Sequence, residues 1–231
     1  MDIDGTTRVG EIAACIPASI EIFERYGVDF CCHGYRPLVD ALDGTGVSAG
    51  DILAEIARFS QAETDEEGPH VDWTAASPSA LADHIVETHH AYLDREMPRV
   101  GADLAKVISV HAQNHPELHE VGRVYGQLWA ELEAHLRKEE ADVFPRIKQL
   151  GPHDPPPAEL LDLFDQIKTE HDAAGEALHA IRGTTSNYQT PADACFTYTS
   201  LYRGLQALEA DVHRHVHLEN NVLIPGLRAK V

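Results

Sequence analysis

Long apolar runs are missing from this 231-residue sequence: none approaches the roughly 18 residues that a membrane-crossing helix needs. The start, Met1-Asp2-Ile3-Asp4, lacks the basic residues and apolar stretch of a secretory signal, so a cytoplasmic protein with no membrane partner is expected. Basic side chains are scarce, 18 Lys and Arg against 38 Asp and Glu, for a formal net charge of −20. That balance argues against nucleic acid and anionic membrane as partners, because phosphate binding needs a basic face. Cysteine is sparse too. Cys15, Cys31, Cys32 and Cys195 are too few and too scattered for a disulfide framework. Cys15 and Cys195 sit among apolar neighbours and are expected to be buried packing residues. What the chain has in excess is histidine, 15 in all.

Two breaks in composition divide the chain. Gln61 to Ser77 is acidic and turn-rich and reads as a linker, with Trp73 expected to dock on a flanking unit. Gly151 to Pro157 (GPHDPPP) is a stretch that no helix crosses. A softer break runs from Gly183 to Pro191. Between the breaks, apolar residues recur at helical spacing, in four series. They are Val86, Leu93, Met97, Val100, Leu104, Val107; Val121, Tyr125, Leu128, Leu132, Val143; Leu160, Phe164, Ile167, Leu178, Ile181; and Leu201, Leu205, Leu208, Val212, Val222. Short connections between long helices predict an all-α fold with an up-down-up-down four-helix bundle over 77–231. Residues 1–60 carry shorter patterns and predict a small domain of three or four short helices, followed by a linker over 61–76.

Two segments repeat at an offset of 80 residues: HLRKEEADVFP from His135 to Pro145 and HVHLENNVLIP from His215 to Pro225. The offset pairs His135 with His215, Glu139 with Glu219 and Pro145 with Pro225. An H-x-x-x-E spacing puts both side chains on one helix face, one turn apart. Each pair continues an apolar seam, and a carboxylate in such a seam is costly unless it is paired or bound to a metal. His90 lies in the first seam and His171 in the third. Counted from their flanking prolines, all four histidines fall roughly 15 to 21 Å from one end of an antiparallel bundle. Four imidazoles and two carboxylates at one height suit two bridged metal ions, with iron favoured and zinc or manganese open. His89 is the rival to His90. His111 lies near the opposite end and is excluded. Glu131 and Glu170 adjoin ligands and are candidates to fix imidazole tautomers.

Asp29-Phe30-Cys31-Cys32-His33-Gly34 is the other unusual segment. Vicinal thiols bind soft metals, react with oxidants or nitric oxide, or close a strained disulfide; a chance pair is the plainer alternative. Taken together, DFCCHG, the Asp72-Trp73 pair, EHDAAGE around His171 and the two H-x-x-x-E segments resemble the repair-of-iron-centres family. The resemblance covers nearly the whole chain and implies a small cysteine-pair domain followed by a hemerythrin-like bundle. It implies two non-haem iron ions, carboxylate- and oxo-bridged, on His90, His135, Glu139, His171, His215 and Glu219. It places the family's redox- or nitric-oxide-linked cysteine pair on Cys31 and Cys32. His33 departs from the glycine common there and leaves the role of the pair open. The implied function is repair of iron–sulfur clusters damaged by nitric oxide or oxidative stress, through iron donated to the damaged proteins. Reduction of nitric oxide to nitrous oxide, and oxygen or nitric oxide sensing, are alternatives. A homodimer is a further possibility.

Overall fold

The computed structural model describes residues 3–63 and 72–231, so half of the expected linker, 64–71, lies outside the described residues. The described residues are helical, with one isolated bridge between Arg8 and Pro37. Among them no helix is long and apolar enough to cross a membrane. The chain divides into two compact units. The first comprises the residues up to Leu81 together with Gly151–Pro156 and His213–Val231; the second comprises Ala82–Leu150 and Pro157–Val212.

The second unit holds four long helices: α6 (Ala91–His111), α7 (Glu117–Lys138), α9 (Ala158–Thr184) and residues 196–212 of α10 (Phe196–His217). α5 (Pro78–Ile85) leads in, begun by the expected Ser77 cap, whose Oγ accepts the Ala80 N–H at 3.2 Å. α8 (Phe144–Gln149) ends just before the Gly151–Pro157 break, as proline chemistry requires. The four helices close a ring. Tyr125 O–H donates to the Met97 carbonyl (2.7 Å), His135 and His171 join α7 to α9, and Arg182 donates to Glu209 between α9 and α10. α10 and the residue before it run back along α6 and the turn that precedes it, with His89 against Asp211, Val100 against Gly204, and His111 against Cys195. Along that last seam one residue number falls as the other rises, so the helices are antiparallel. A Cβ at Gly204 would lie 3.0 Å from the Val100 side chain, so hydrogen at this position lets the two backbones approach.

The buried stripes are those the sequence series mark, with two shifts. Three π-helical turns interrupt the α-helices: π1 (Val86–His90), π2 (Glu139–Val143) and π3 (Leu218–Leu223). A π turn carries one extra residue and rotates what flanks it by about one position. Ile85 rather than Val86, and Leu223 rather than Val222, therefore take the fully buried places, while Val86 and Val222 are half-buried.

In the first unit, α1 (Val9–Cys15), α2 (Ser19–Tyr26), α3 (Leu38–Ala41) and α4 (Ala49–Glu63) bury Val9, Ile12, Ile22, Phe23, Leu38, Ile52 and Ile56. Residues 213–231, expected with the bundle alone, share this unit. π3 packs on α1, and α11 (Ile224–Arg228) follows it. Cys15 and Cys195 are exposed, contrary to expectation. Cys15 is the last residue of a two-turn helix whose inward face is spent on Val9, Ile12 and Ala13, and Cys195 lies one residue before α10 begins.

Candidate metal centre

Within the second unit, four elements bring His90, His135, Glu139 and His171 together. π1 ends on His90, α7 carries His135 one turn before Glu139 opens π2, and α9 carries His171. Glu139 is 0% exposed, a position that an ionised carboxylate occupies only with a cation beside it. Its two oxygens face two rings: Oε2 is 3.3 Å from His90 Nε2 and Oε1 is 3.2 Å from His135 Nε2. His171 Nε2 lies 3.1 Å from His135 Nε2. The ligand atoms of His135, Glu139 and His171 all lie within 4.8 Å of one another.

The outer faces of the rings decide what these distances mean. His90 Nδ1 is 2.8 Å from Glu140 Oε1, and His135 Nδ1 is 2.8 Å from Glu170 Oε2. Carboxylates only accept, so both Nδ1 atoms carry the proton and donate outward. Each Nε2 then turns a lone pair inward onto carboxylate oxygens that carry lone pairs of their own. Acceptors held face to face at this distance need a cation between them. Imidazole nitrogen and carboxylate oxygen are donors that suit iron, zinc or manganese, so the residues fit a transition metal. The hydrogen bond from His135, helped by the ammonium of Lys138 and opposed by partial burial, holds Glu170 down at about 2. It therefore stays an acceptor and fixes the tautomer of His135. Phe144 stacks on the His90 ring at 5.7 Å between centroids.

Within the first unit, His215 and Glu219 repeat the arrangement of His135 and Glu139. Both are buried, and His215 Nε2 is 3.1 Å from Glu219 Oε1. Two residues beyond Glu219, Asn221 Nδ2 donates to the Phe30 and Cys31 carbonyls, 3.1 Å each. The cysteine segment is thus clamped to the helix that carries Glu219. Cys31 and Cys32 are buried thiols with Sγ atoms 3.7 Å apart. The neighbouring Cys32 thiol and burial push Cys31 well above the ordinary thiol range. His217 packs edge-on against Phe30 at 5.6 Å, and burial pushes it down to about 4, so it is neutral.

Residues set aside on sequence have other partners. His89 Nδ1 bonds Asp211 Oδ1 at 3.0 Å, and His111 Nε2 lies 3.3 Å from Cys195 Sγ. Of the two tautomer-fixing candidates, Glu170 holds His135, whereas Glu131 is exposed and accepts from Gln127. Glu140 and Asn221 were not singled out from sequence. The doubled glutamate in HLRKEE was a usable signal for Glu140, because the residue after a seam ligand lies beside the neighbouring helix. Asn221 gave no comparable signal, since its partners lie some 190 residues away.

A family model described as "Hemerythrin HHE cation binding domain" matches residues 81–227, and one described as "Domain of Unknown function (DUF542)" matches residues 5–60. The chain is 33% identical over 218 residues to the iron-sulfur cluster repair protein YtfE of Escherichia coli O1:K1, covering 94% of each chain. The proteins of the same name from Escherichia fergusonii and from Enterobacter sp. strain 638 match with the same identity and coverage. Buried histidines and glutamates set for a transition metal in a hemerythrin-type domain, preceded by a cysteine-pair domain, place the chain in the repair-of-iron-centres family.

Proposed function

We propose that this protein is a di-iron protein that repairs iron–sulfur clusters damaged by nitric oxide or oxidative stress, by donating iron to them. The observation that carries the reading is Glu139, fully buried with its two oxygens facing imidazole nitrogens whose outer protons are committed to Glu140 and to Glu170. In this proposal His90, His135, Glu139, His171, His215 and Glu219 are the residues that would hold the two iron ions. The hemerythrin-type match runs unbroken from 81 to 227 and so includes all six residues, and the two histidine–glutamate pairs share one internal geometry. On this reading residues 1–60 form the cysteine-pair domain, 61–76 the linker and 77–231 the bundle, and the protein works in the cytoplasm, where Cys31 and Cys32 stay reduced.

Two adjacent ferrous ions with open positions would supply binding and reduction of nitric oxide or oxygen. The chain's own residues set how firmly iron is held. Neutral imidazoles and carboxylates bind ferrous iron less tightly than a full thiolate set, which suits a donor. Glu140 and Glu170 keep the two rings aimed inward, and Phe144 covers the His90 ring. The test is transfer of labelled iron from the loaded protein to an apo iron–sulfur protein, with a chelator present to capture free iron. Donation predicts transfer well above that from free iron under the same chelator; equal transfer refutes it.

Reduction of nitric oxide to nitrous oxide is the second reading. It is favoured by the dithiol held through Asn221 on the segment that carries Glu219, since two thiols closing to a disulfide release two electrons and two protons. Nitrous oxide accumulating over several turnovers with an external reductant would establish it. A yield limited to one turnover or less would reject it.

A further inference from the structure

We propose that Cys31, Cys32 and Asp29 form a second cation site, for a thiophilic divalent ion such as zinc or ferrous iron. The three residues present ligand atoms that all lie within 4.8 Å of one another. Two sulfurs bound tetrahedrally at about 2.3 Å lie about 3.8 Å apart, and a sulfur and an oxygen bound at about 2.1 Å lie about 3.6 Å apart. The thiols are 3.7 Å apart, and Cys31 Sγ is 3.3 Å from Asp29 Oδ1. Two of the three edges that these donors would span in a tetrahedral site are therefore nearly in place before any ion arrives.

The surroundings hold that geometry. Asp29 Oδ1 accepts the backbone N–H groups of Cys31, Cys32 and His33 at 3.1, 2.9 and 3.2 Å, which ties the carboxylate to the loop that bears both sulfurs. The other oxygen, Oδ2, accepts from His33 Nδ1, so the residue that departs from the family pattern becomes the partner that orients a ligand. Asn221 fixes the Phe30 and Cys31 carbonyls from the far side. The sulfurs are buried while the Asp29 side chain is 40% exposed, so the carboxylate marks the entrance. A chain of net charge −20 concentrates cations there.

On binding, the ion replaces the thiol protons: one divalent cation and two thiols give a bis-thiolate complex and two released protons, with no change of oxidation state. Two thiolates and one carboxylate leave the fourth position open, the pattern of a site that exchanges its ion or ligand rather than a closed structural one.

Cobalt(II) tests this, because thiolate coordination gives it a charge-transfer absorption that imidazole and carboxylate ligands do not. Full-length protein already loaded with iron, reduced and kept without air, should take up one equivalent of cobalt with a thiolate band, and zinc should abolish that band. The Cys31→Ser/Cys32→Ser variant should lose the band while keeping its helical circular dichroism and its iron. Asp29→Asn keeps an oxygen for the loop N–H groups and removes the charge, and it should weaken cobalt binding about tenfold or more. Should the double variant fail to fold, Cys32→Ser alone is expected to halve the band. The site is refuted if cobalt produces no thiolate band, if the band survives loss of the sulfurs, or if Asp29→Asn binds as tightly as the parent. Iron retained in the bundle would leave the proposed di-iron centre intact under any of these outcomes.

Discussion

Glu139→Gln separates the two cations that could sit between the buried carboxylate and its imidazoles, a metal ion or a proton. If a metal is the natural occupant, metal-free protein holds two lone-pair-bearing Nε2 atoms, 3.3 and 3.2 Å from a buried carboxylate. An amide of the same shape donates one N–H into that arrangement and removes the buried charge. One added hydrogen bond and relief of the charge raise metal-free stability by roughly 1–2 kcal/mol. In a chain of this size that is about 2–8 °C in melting temperature. If instead a protonated imidazole pairs with Glu139 as a structural ion pair, the same substitution breaks a buried pair and costs about 3–5 kcal/mol.

The two cases therefore differ in sign. With metal present the order reverses, because a neutral amide is a far weaker ligand for a metal ion than a carboxylate. Iron retention should then fall by more than about 100-fold, beyond the range expected for outer partners of a ligand. The assay is scanning calorimetry of metal-free protein beside an iron count after anaerobic loading and desalting. A metal-free variant that melts well below the parent, or one that keeps two irons at parental affinity, would refute the reasoning.

Glu140→Gln and Glu170→Gln each release one imidazole Nδ1–H from its carboxylate, and each should lower iron retention against a chelator about 10–100-fold without changing the number of ions bound. Asn221→Ala leaves the Phe30 and Cys31 carbonyls short of a donor; it should cost about 1–3 kcal/mol in thermal unfolding and speed modification of Cys31 and Cys32 by a thiol reagent. Gly34→Ala puts a Cβ 2.3 Å from Asn221 Oδ1 and 2.6 Å from the Phe30 carbonyl, and it should destabilise by about 1–3 kcal/mol, with the same gain in thiol reactivity. Glu209→Ala strips Arg182 and Tyr188 of a shared buried acceptor; because the Arg182 side chain is 32% exposed, the loss should stay at or below about 3 kcal/mol, read as a drop in melting temperature with iron content unchanged.

The long helices were legible because their signal is local. Leu128, Leu132, His135, Glu139 and Val143 lie on one face by spacing alone, and all five are buried. The choice of His90 over His89 was a matter of phase, and phase is what a π turn alters. His90 faces Glu139 while His89 turns to Asp211, although both lie in π1. Val86 and Val222 were misplaced for the same reason, since a strict 3.6-residue period does not foresee an inserted residue. Asn221 was illegible for a different reason. A carboxamide on a helix is ordinary until the chain folds back and sets residues 30 and 31 against it. The exposure of Cys15 and Cys195 shows the limit of reading apolar neighbours: both lie at helix ends, where few faces remain to be covered.

The π turns also bear on why the site is where it is. Each carries a proposed iron ligand: His90 closes π1, Glu139 opens π2, and Glu219 is the second residue of π3. A π turn weakens the regular hydrogen-bond ladder and is retained only where it gains something. The gain for π2 is visible in the helix itself. Upstream, His135 and Glu139 share a face at ordinary α spacing; downstream, Val143, Phe144 and Ile147 are all buried, a wider inward arc than one α-helical stripe covers. The extra residue lets a single helix present a carboxylate and an apolar lid in succession, so that Phe144 stacks on His90 while Glu139 faces it. The 80-residue repeat has the same design, with His215 and Glu219 followed by buried Leu223, Ile224 and Leu227. The repeated H-x-x-x-E spacing therefore marks two copies of one local arrangement, in which each histidine–glutamate pair is followed by a π turn and buried apolar residues.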